Sequence, residues 1–192
     1  MQTRPTTATG VPAQRREETD AALIIRCQAG DREAFCLLLA RYRDRVVNLA
    51  YQLVNKREDA EDIAQDAFTQ AFTSIKSFRG DAQFYTWLYR ITVNLCLQRR
   101  RRTRPTESVD DYDMPSDQHL ENQVETKMMV ERTLGKMSEP LRVTLILRDM
   151  HDLSYEEVAK ILEIPVGTVR SRLNEARRQF REAWFQVEKE LE

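Results

Sequence analysis

The run VRSRLNEARRQFR, residues 169 to 181, holds five arginines together with Ser171, Asn174 and Glu175, and Thr168 stands just before it. Each residue type has its own hydrogen-bonding use on nucleic acid. Arg donates two parallel bonds to guanine, Asn suits adenine, Glu accepts from cytosine, and Ser or Thr holds phosphate. Val166, Val169, Leu173 and Ala176 recur at spacings of three and four, so a helix turns them inward and leaves Thr168, Arg170, Ser171, Arg172, Asn174 and Glu175 largely outward. The preceding LSYEEVAKILEI supplies a short helix with Val158, Ala159, Ile161 and Leu162 inward, opened by Ser154 with Glu157 at capping-box spacing. A capped helix, a tight turn and an arginine-rich second helix together have the layout of a helix-turn-helix, whose second helix presents its first turns to a major groove. The alternative, a helical hairpin with a solvated basic face, leaves the co-occurrence of the three parts unexplained.

A second cluster is aromatic. Phe78, Phe84, Tyr85, Trp87 and Tyr89 fall within thirteen positions of a chain with fifteen aromatics in all. At 100° per residue, Phe84, Leu88, Ile91 and Leu95 lie within about 40° of one line and read as core, flanked by a stripe of Tyr85, Tyr89, Val93 and Cys96 expected on a neighbouring helix or half exposed. The remaining face holds Thr86, Trp87, Arg90, Asn94, Gln98 and Arg101. An indole among arginines and an amide suits unpaired bases, with stacking worth ~1–3 kcal/mol per base. Loop 77–83, with Phe78, Arg79, Gly80, Asp81 and Gln83, adds a flexible glycine and mixed donors and acceptors, giving room for an extruded base. Angles alone leave two readings of Trp87 open: a stacking platform, or a side chain half buried on the helix shoulder.

A third cluster is acidic. In DAEDIAQDAFTQAF, residues 59 to 72, Ile63, Ala64, Ala67, Phe68, Ala71 and Phe72 share one side, and Asp59, Asp62, Gln65, Asp66, Thr69 and Thr73 the other. A polar outer face is ordinary for a soluble helix. Like charges repel, so this face cannot meet phosphates, and any partner it has is a protein. No enzyme chemistry emerges: His119 and His151 stand apart, and no nucleophile–base pair, phosphate loop or metal-ligand spacing occurs, so neither metal nor cofactor is expected. Cys27, Cys36 and Cys96 sit in apolar helical patterns and read as buried free thiols.

The elements that must position these clusters are helical. With five Gly, six Pro and 32% charged residues, the composition favours an all-α protein of two small domains. The net charge of −1 hides segregation: +1 over residues 1–19, +5 over 20–104, −7 over 105–125 and zero over 126–192. Residues 1–19 lack a hydrophobic period and read as a disordered leader, and 105–125, acidic with Pro105 and Pro115, as a flexible linker. Helices are expected over 21–29, over 32–54 behind an Asp31 cap, from an Asn55/Glu58 capping box to about Ser77, and from an Asp81 cap into the arginine run 99–104. Beyond the linker they are expected near 120–136, 139–149, 154–162 and 166–189. No run of eighteen apolar residues occurs and the N-terminus lacks a signal-peptide core, so no membrane insertion and a cytoplasmic location are expected.

DAEDIAQDAF, SFRGDAQFYTWLYRITVN and LSYEEVAKILEIPVGTVRSRL, in this order with an acidic linker before the last, closely resemble the extracytoplasmic-function, sigma-E-like sigma factors of bacterial RNA polymerase. The resemblance covers roughly residues 20–188 and implies a region 2 domain joined to a region 4 domain. It implies that Asp59, Asp62, Gln65, Asp66 and Thr69 dock on the β′ clamp helices of core RNA polymerase. It further implies that Phe78, Arg79, Gly80, Asp81, Gln83, Trp87, Arg90, Asn94 and Arg101 take single-stranded −10 promoter DNA. Thr168, Arg170, Ser171, Arg172, Asn174, Glu175 and Arg178 would read the −35 duplex, with the rest of that domain on the β flap and the linker in the RNA-exit path. An anti-sigma factor is the further partner implied. Many members carry Arg where this chain has Glu175. A stand-alone helix-turn-helix regulator needs neither the acidic stripe nor the Trp–Arg–Asn face, and a sigma-like decoy has no use for the base readers.

Overall fold

Asp31 accepts from the backbone N–H groups of Glu33 and Ala34 at 2.9 and 3.2 Å, starting one of the two longest helices of the computed structural model. The model describes residues 18–102 and 118–191, with side chains over 125–190 of the second stretch. The expected leader and most of the expected linker therefore lie outside the described residues. The first half contains α1 (Asp20–Gln28), α2 (Arg32–Val54), α3 (Arg57–Ser74), a 3₁₀ turn (Ile75–Ser77) and α4 (Phe84–Arg102). The second contains α5 (Gln118–Gly135), α6 (Glu139–Leu145) running into a π turn (Ile146–Met150), α7 (Tyr155–Leu162) and α8 (Val166–Leu191). The all-α expectation holds for the described residues, and α5 begins at Gln118, inside the stretch read as linker.

In the first half α2, α3 and α4 pack on one another. Leu38, Leu49, Leu53, Ile63 and Leu88 are at most 2% exposed, and each such side chain contributes about 1.5–3 kcal/mol by leaving water. Tyr42 and Arg41 of α2 both bond to Asp20, fastening α1 to this core. Burial, then the Asp20 carboxylate, pushes the Tyr42 phenol well above its usual range. In the second half α8 packs on α5, α6 and α7 around Ile146, Leu147, Ile161 and Leu173.

Two expected helix starts are different in the structure. Asn55 does not cap α3: it adopts the left-handed conformation at φ 55° and closes α2, its N–H donating to the Tyr51 carbonyl at 2.7 Å. Lys56 then flanks α3 without a side-chain cap. Asp81 lies three residues ahead of α4, and the backbone oxygen of Gln83 takes the Trp87 N–H at 3.2 Å. The two halves also touch, α7 lying against α4 and the π turn against α2.

Candidate nucleic-acid interface

The recognition helix is α8. The Ser154–Glu157 capping box is complete: the Ser154 hydroxyl accepts from the Glu157 N–H at 3.2 Å, and Glu157 Oε2 accepts from the Ser154 N–H at 2.8 Å. Glu163, in the left-handed conformation, ends α7 and begins the turn into α8. Val169, Leu173 and Ala176 are fully buried. Arg170, Ser171, Asn174, Glu175 and Arg178 are exposed, with Thr168 and Arg172 partly so, which brings the expected −35 set to one outer face. Glu175 is not a free acceptor there. Its carboxylate holds Arg178 through two contacts, Nε at 3.1 Å and Nη2 at 2.5 Å, and Arg178 also reaches Glu182 at 2.8 Å. The Arg178 guanidinium holds the Glu175 carboxyl below its ordinary range.

The aromatic cluster forms a pocket. Ser77 to Ala82, Thr86, Trp87 and Arg90 line a cavity of about 440 Å³, closed on one side by Lys160 and Glu163 of the second half. Trp87 is partly buried, its ring centroid 5.1 Å from Phe78 and 5.8 Å from Phe84, so it is braced from behind and open in front. Gly80, at φ 78°, is in the left-handed conformation that favours glycine, with open space where a Cβ would project. Gln28 Nε2 donates to the Phe78 carbonyl at 2.8 Å and to that of Ile75 at 3.2 Å, tying the loop to α1. Asn94 is exposed further along α4, as is Arg101, beyond the residues lining this cavity.

Thr86 departs from the expected outward face: it is 2% exposed, and its hydroxyl has no partner. α4 is covered here by α7, a contact between distant segments that no angular pattern within one helix reveals. The Tyr85 and Tyr89 stripe does pack on a neighbouring element, Tyr85 bonding to Glu157 and the Tyr89 hydroxyl lying 3.4 Å from His151 Nδ1. No pattern within the sequence singles out His151 for a role. Its other ring nitrogen lies 2.9 Å from Gln52 Oε1 of α2, so it bridges the two halves.

The acidic stripe is more divided than its spacing implies. Asp62, Gln65, Asp66 and Thr69 are exposed, whereas Asp59 turns to Arg99 of α4, Oδ1 to Nη1 at 3.0 Å, and Arg99 Nη2 also stands 3.8 Å from Asp62. Gln65 and Thr69 border a groove of about 520 Å³ between α2 and α3, walled by Phe35, Leu39, Val47, Phe68 and Phe72. Phe72 is 41% exposed instead of buried, because it lies at the groove edge with its ring 5.0 Å from Phe35. Cys36 is also exposed, while Cys27 and Cys96 are buried, Cys96 with its thiol pushed up by burial to about 12. No metal-ligand cluster and no helix long and apolar enough to cross a membrane occur among the described residues.

These elements define an all-α protein with a helix-turn-helix whose second helix carries exposed arginines, and with an acidic outer face on α3. The Sigma-70 region 2 family matches residues 38–106 and the Sigma-70 region 4 family residues 127–180. The ECF RNA polymerase sigma-E factor of Haemophilus influenzae is 40% identical, with 83% of this chain and 92% of that protein covered, and its Escherichia coli K12 counterpart is 40% identical, with 83% and 91% covered. The RNA polymerase sigma-H factor of Pseudomonas aeruginosa is 36% identical, with 84% and 91% covered. Among solved structures, CnrH in complex with the cytosolic domain of CnrY superposes with TM-score 0.69 at 26% identity, covering 85% of this chain and 95% of CnrH. The Bartonella quintana sigma factor RpoE, in complex with the anti-sigma factor NepR, shares the fold at 22% identity and TM-score 0.62, with 78% and 95% covered. The chain belongs to the extracytoplasmic-function sigma factors of the sigma-70 family.

Proposed function

We propose that the protein binds core RNA polymerase in the cytoplasm and directs transcription initiation at specific promoters. In this reading α8 recognises the −35 duplex with Arg170, Ser171, Arg172 and Asn174, while the pocket around Trp87 holds a base of the melted −10 element. The observation that supports it is the occurrence on one family member of two candidate surfaces of different kinds. One is an exposed, arginine-rich helix sized for a groove, and the other an aromatic cavity walled by Phe78, Trp87 and Arg90.

Extruding a base costs a few kcal/mol, and stacking on Trp87 with an Arg90 phosphate contact offsets a cost of that size, so melting needs no nucleotide hydrolysis. Asp62, Gln65, Asp66 and Thr69, beside the apolar groove between α2 and α3, supply a docking face for the polymerase clamp, which phosphate repulsion keeps off DNA. An anti-sigma factor is the regulatory partner in this reading, in line with the NepR complex of the Bartonella quintana neighbour.

In vitro transcription with the organism's own core polymerase tests this. The protein should support initiation at defined start sites, and Trp87→Ala should lower open-complex formation on duplex promoters by about tenfold, the loss of one stacked base. On a template with the −10 bubble already opened, the same variant should lose far less. Absence of any defined start, with no inhibitor present, contradicts the reading.

A further inference from the structure

The pocket around Trp87 is walled on one side from outside its own domain, by Lys160 and Glu163. Arg90 Nη1 is held by Glu163 Oε1 at 3.1 Å, and the Asp81 carbonyl is taken by Lys160 Nζ at 3.1 Å, so a cation and a loop acceptor facing the cavity both have partners from the α7 end. α7 is fixed in place at its other end as well, where Tyr85 bonds to Glu157, and His151 sits between Tyr89 and Gln52. Glu163 stands at φ 54°, in the left-handed region that favours glycine, yet the residue there is one whose carboxylate reaches Arg90. Meanwhile Arg170, Ser171 and Asn174 on α8 stay exposed, so this contact covers one reading surface and spares the other.

We propose that the end of α7 is a built-in lid on the single-strand pocket: Glu163 holds Arg90 in the closed form and releases it to a DNA phosphate when the two halves part. This rests on the reading of the Trp87 cavity as the site for an unpaired base. The lid is of a kind that opens readily. The Arg90 and Glu163 side chains are 42% and 69% exposed, and solvent-screened pairs of this sort add little to stability. Separation of the two halves on the polymerase, each half engaging its own surface, is then enough to uncover the pocket. Free protein, by contrast, holds single-stranded DNA about two- to fivefold more weakly than it would with the pair released.

The test uses the full chain without polymerase, a fluorescent single-stranded deoxyoligonucleotide pool of randomised sequence, and anisotropy as readout. Glu163→Gln should tighten binding by about two- to fivefold, the fold-change corresponding to loss of one exposed ion pair, and affinity for a random duplex of equal length should change less. Glu156→Gln, which removes the same charge from the exposed side of α7, should not reproduce the gain. In the Trp87→Ala background the gain from Glu163→Gln should vanish. An unchanged or weaker Glu163→Gln, with Trp87→Ala still reducing residual binding, overturns the lid and leaves the pocket standing. A gain shared by Glu156→Gln, or one that survives Trp87→Ala, reduces the effect to general charge and overturns the lid. If Trp87→Ala changes nothing in either background, the pocket reading fails and the lid with it. Circular dichroism melts of all variants establish that folding is intact.

Discussion

Glu175 shows how far a residue's role depends on its neighbour one turn away. By type and position it suits acceptance from cytosine, and relatives with Arg there would add a cation near the duplex. In the structure its carboxylate is occupied by Arg178 at 2.5 Å, and the two exposed charges offset each other on the outer face of α8. Removing the acid leaves Arg178 with Glu182 as its one remaining carboxylate partner, at 2.8 Å. Glu175→Ala should therefore tighten duplex binding by about two- to fivefold at low salt and steepen the slope of log affinity against log salt by close to one, the signature of one more phosphate contact. Titrations at several salt concentrations measure both, and an unchanged slope would mean that Arg178 never reaches phosphate. Single-residue burial was only partly legible from the sequence. The helical period placed Ile63, Phe68 and Leu88 correctly, but Phe72 and Cys36 share apolar patterns with buried neighbours and are exposed, because the period fixes a direction and not whether an element covers it.

At the scale of elements, capping chemistry located two of the four helix starts to which it applies. Asp31 and the Ser154–Glu157 box act as their types require. Asn55 closes α2 instead of opening α3, since Asn serves equally at a helix start and in the left-handed close of a helix, and Glu58 three residues on imitates a capping box. The two roles differ in what they tolerate. Threonine is accepted as an N-cap, whereas a β-branched residue at φ 55° is strained. Asn55→Thr should accordingly destabilise the protein by about 1–2 kcal/mol, and Asn55→Gly should remain within a few tenths of a kcal/mol of the parent. Urea unfolding followed by circular dichroism distinguishes them. The three elements that carry the candidate sites, α3, α4 and α8, are recoverable because each has a long, regular period with polar chemistry on its outer face.

The whole molecule was the least legible scale, because the contacts that join its halves are set by residues such as Tyr89 and His151, 62 positions apart. His151 is their most informative member. Tyr89 of α4 and Gln52 of α2 contact its ring, Arg45 of α2 and Asp152 of its own loop act on it by charge, and burial is the largest cause that pushes its imidazole from the usual 6.5 down to about 4. Arg45 lowers it further and Asp152 opposes them. The imidazole is thus neutral in the closed arrangement, and once the halves part it returns toward its ordinary value. Between those two values the parted form binds a proton that the closed form refuses, so acid favours opening. The contribution of His151 to closure is whole above about pH 6.5 and is lost progressively as the pH falls toward 4, below which protonation of both forms ends the trend. Small-angle scattering or energy transfer between labels on α2 and α8 should show the halves separating across that window. In His151→Gln, which keeps hydrogen-bonding capacity but cannot titrate, the part of the transition nearest pH 6 should disappear. An identical profile in the two proteins would remove His151 from the closure and leave the contacts around Glu157 and Glu163 to hold the halves together.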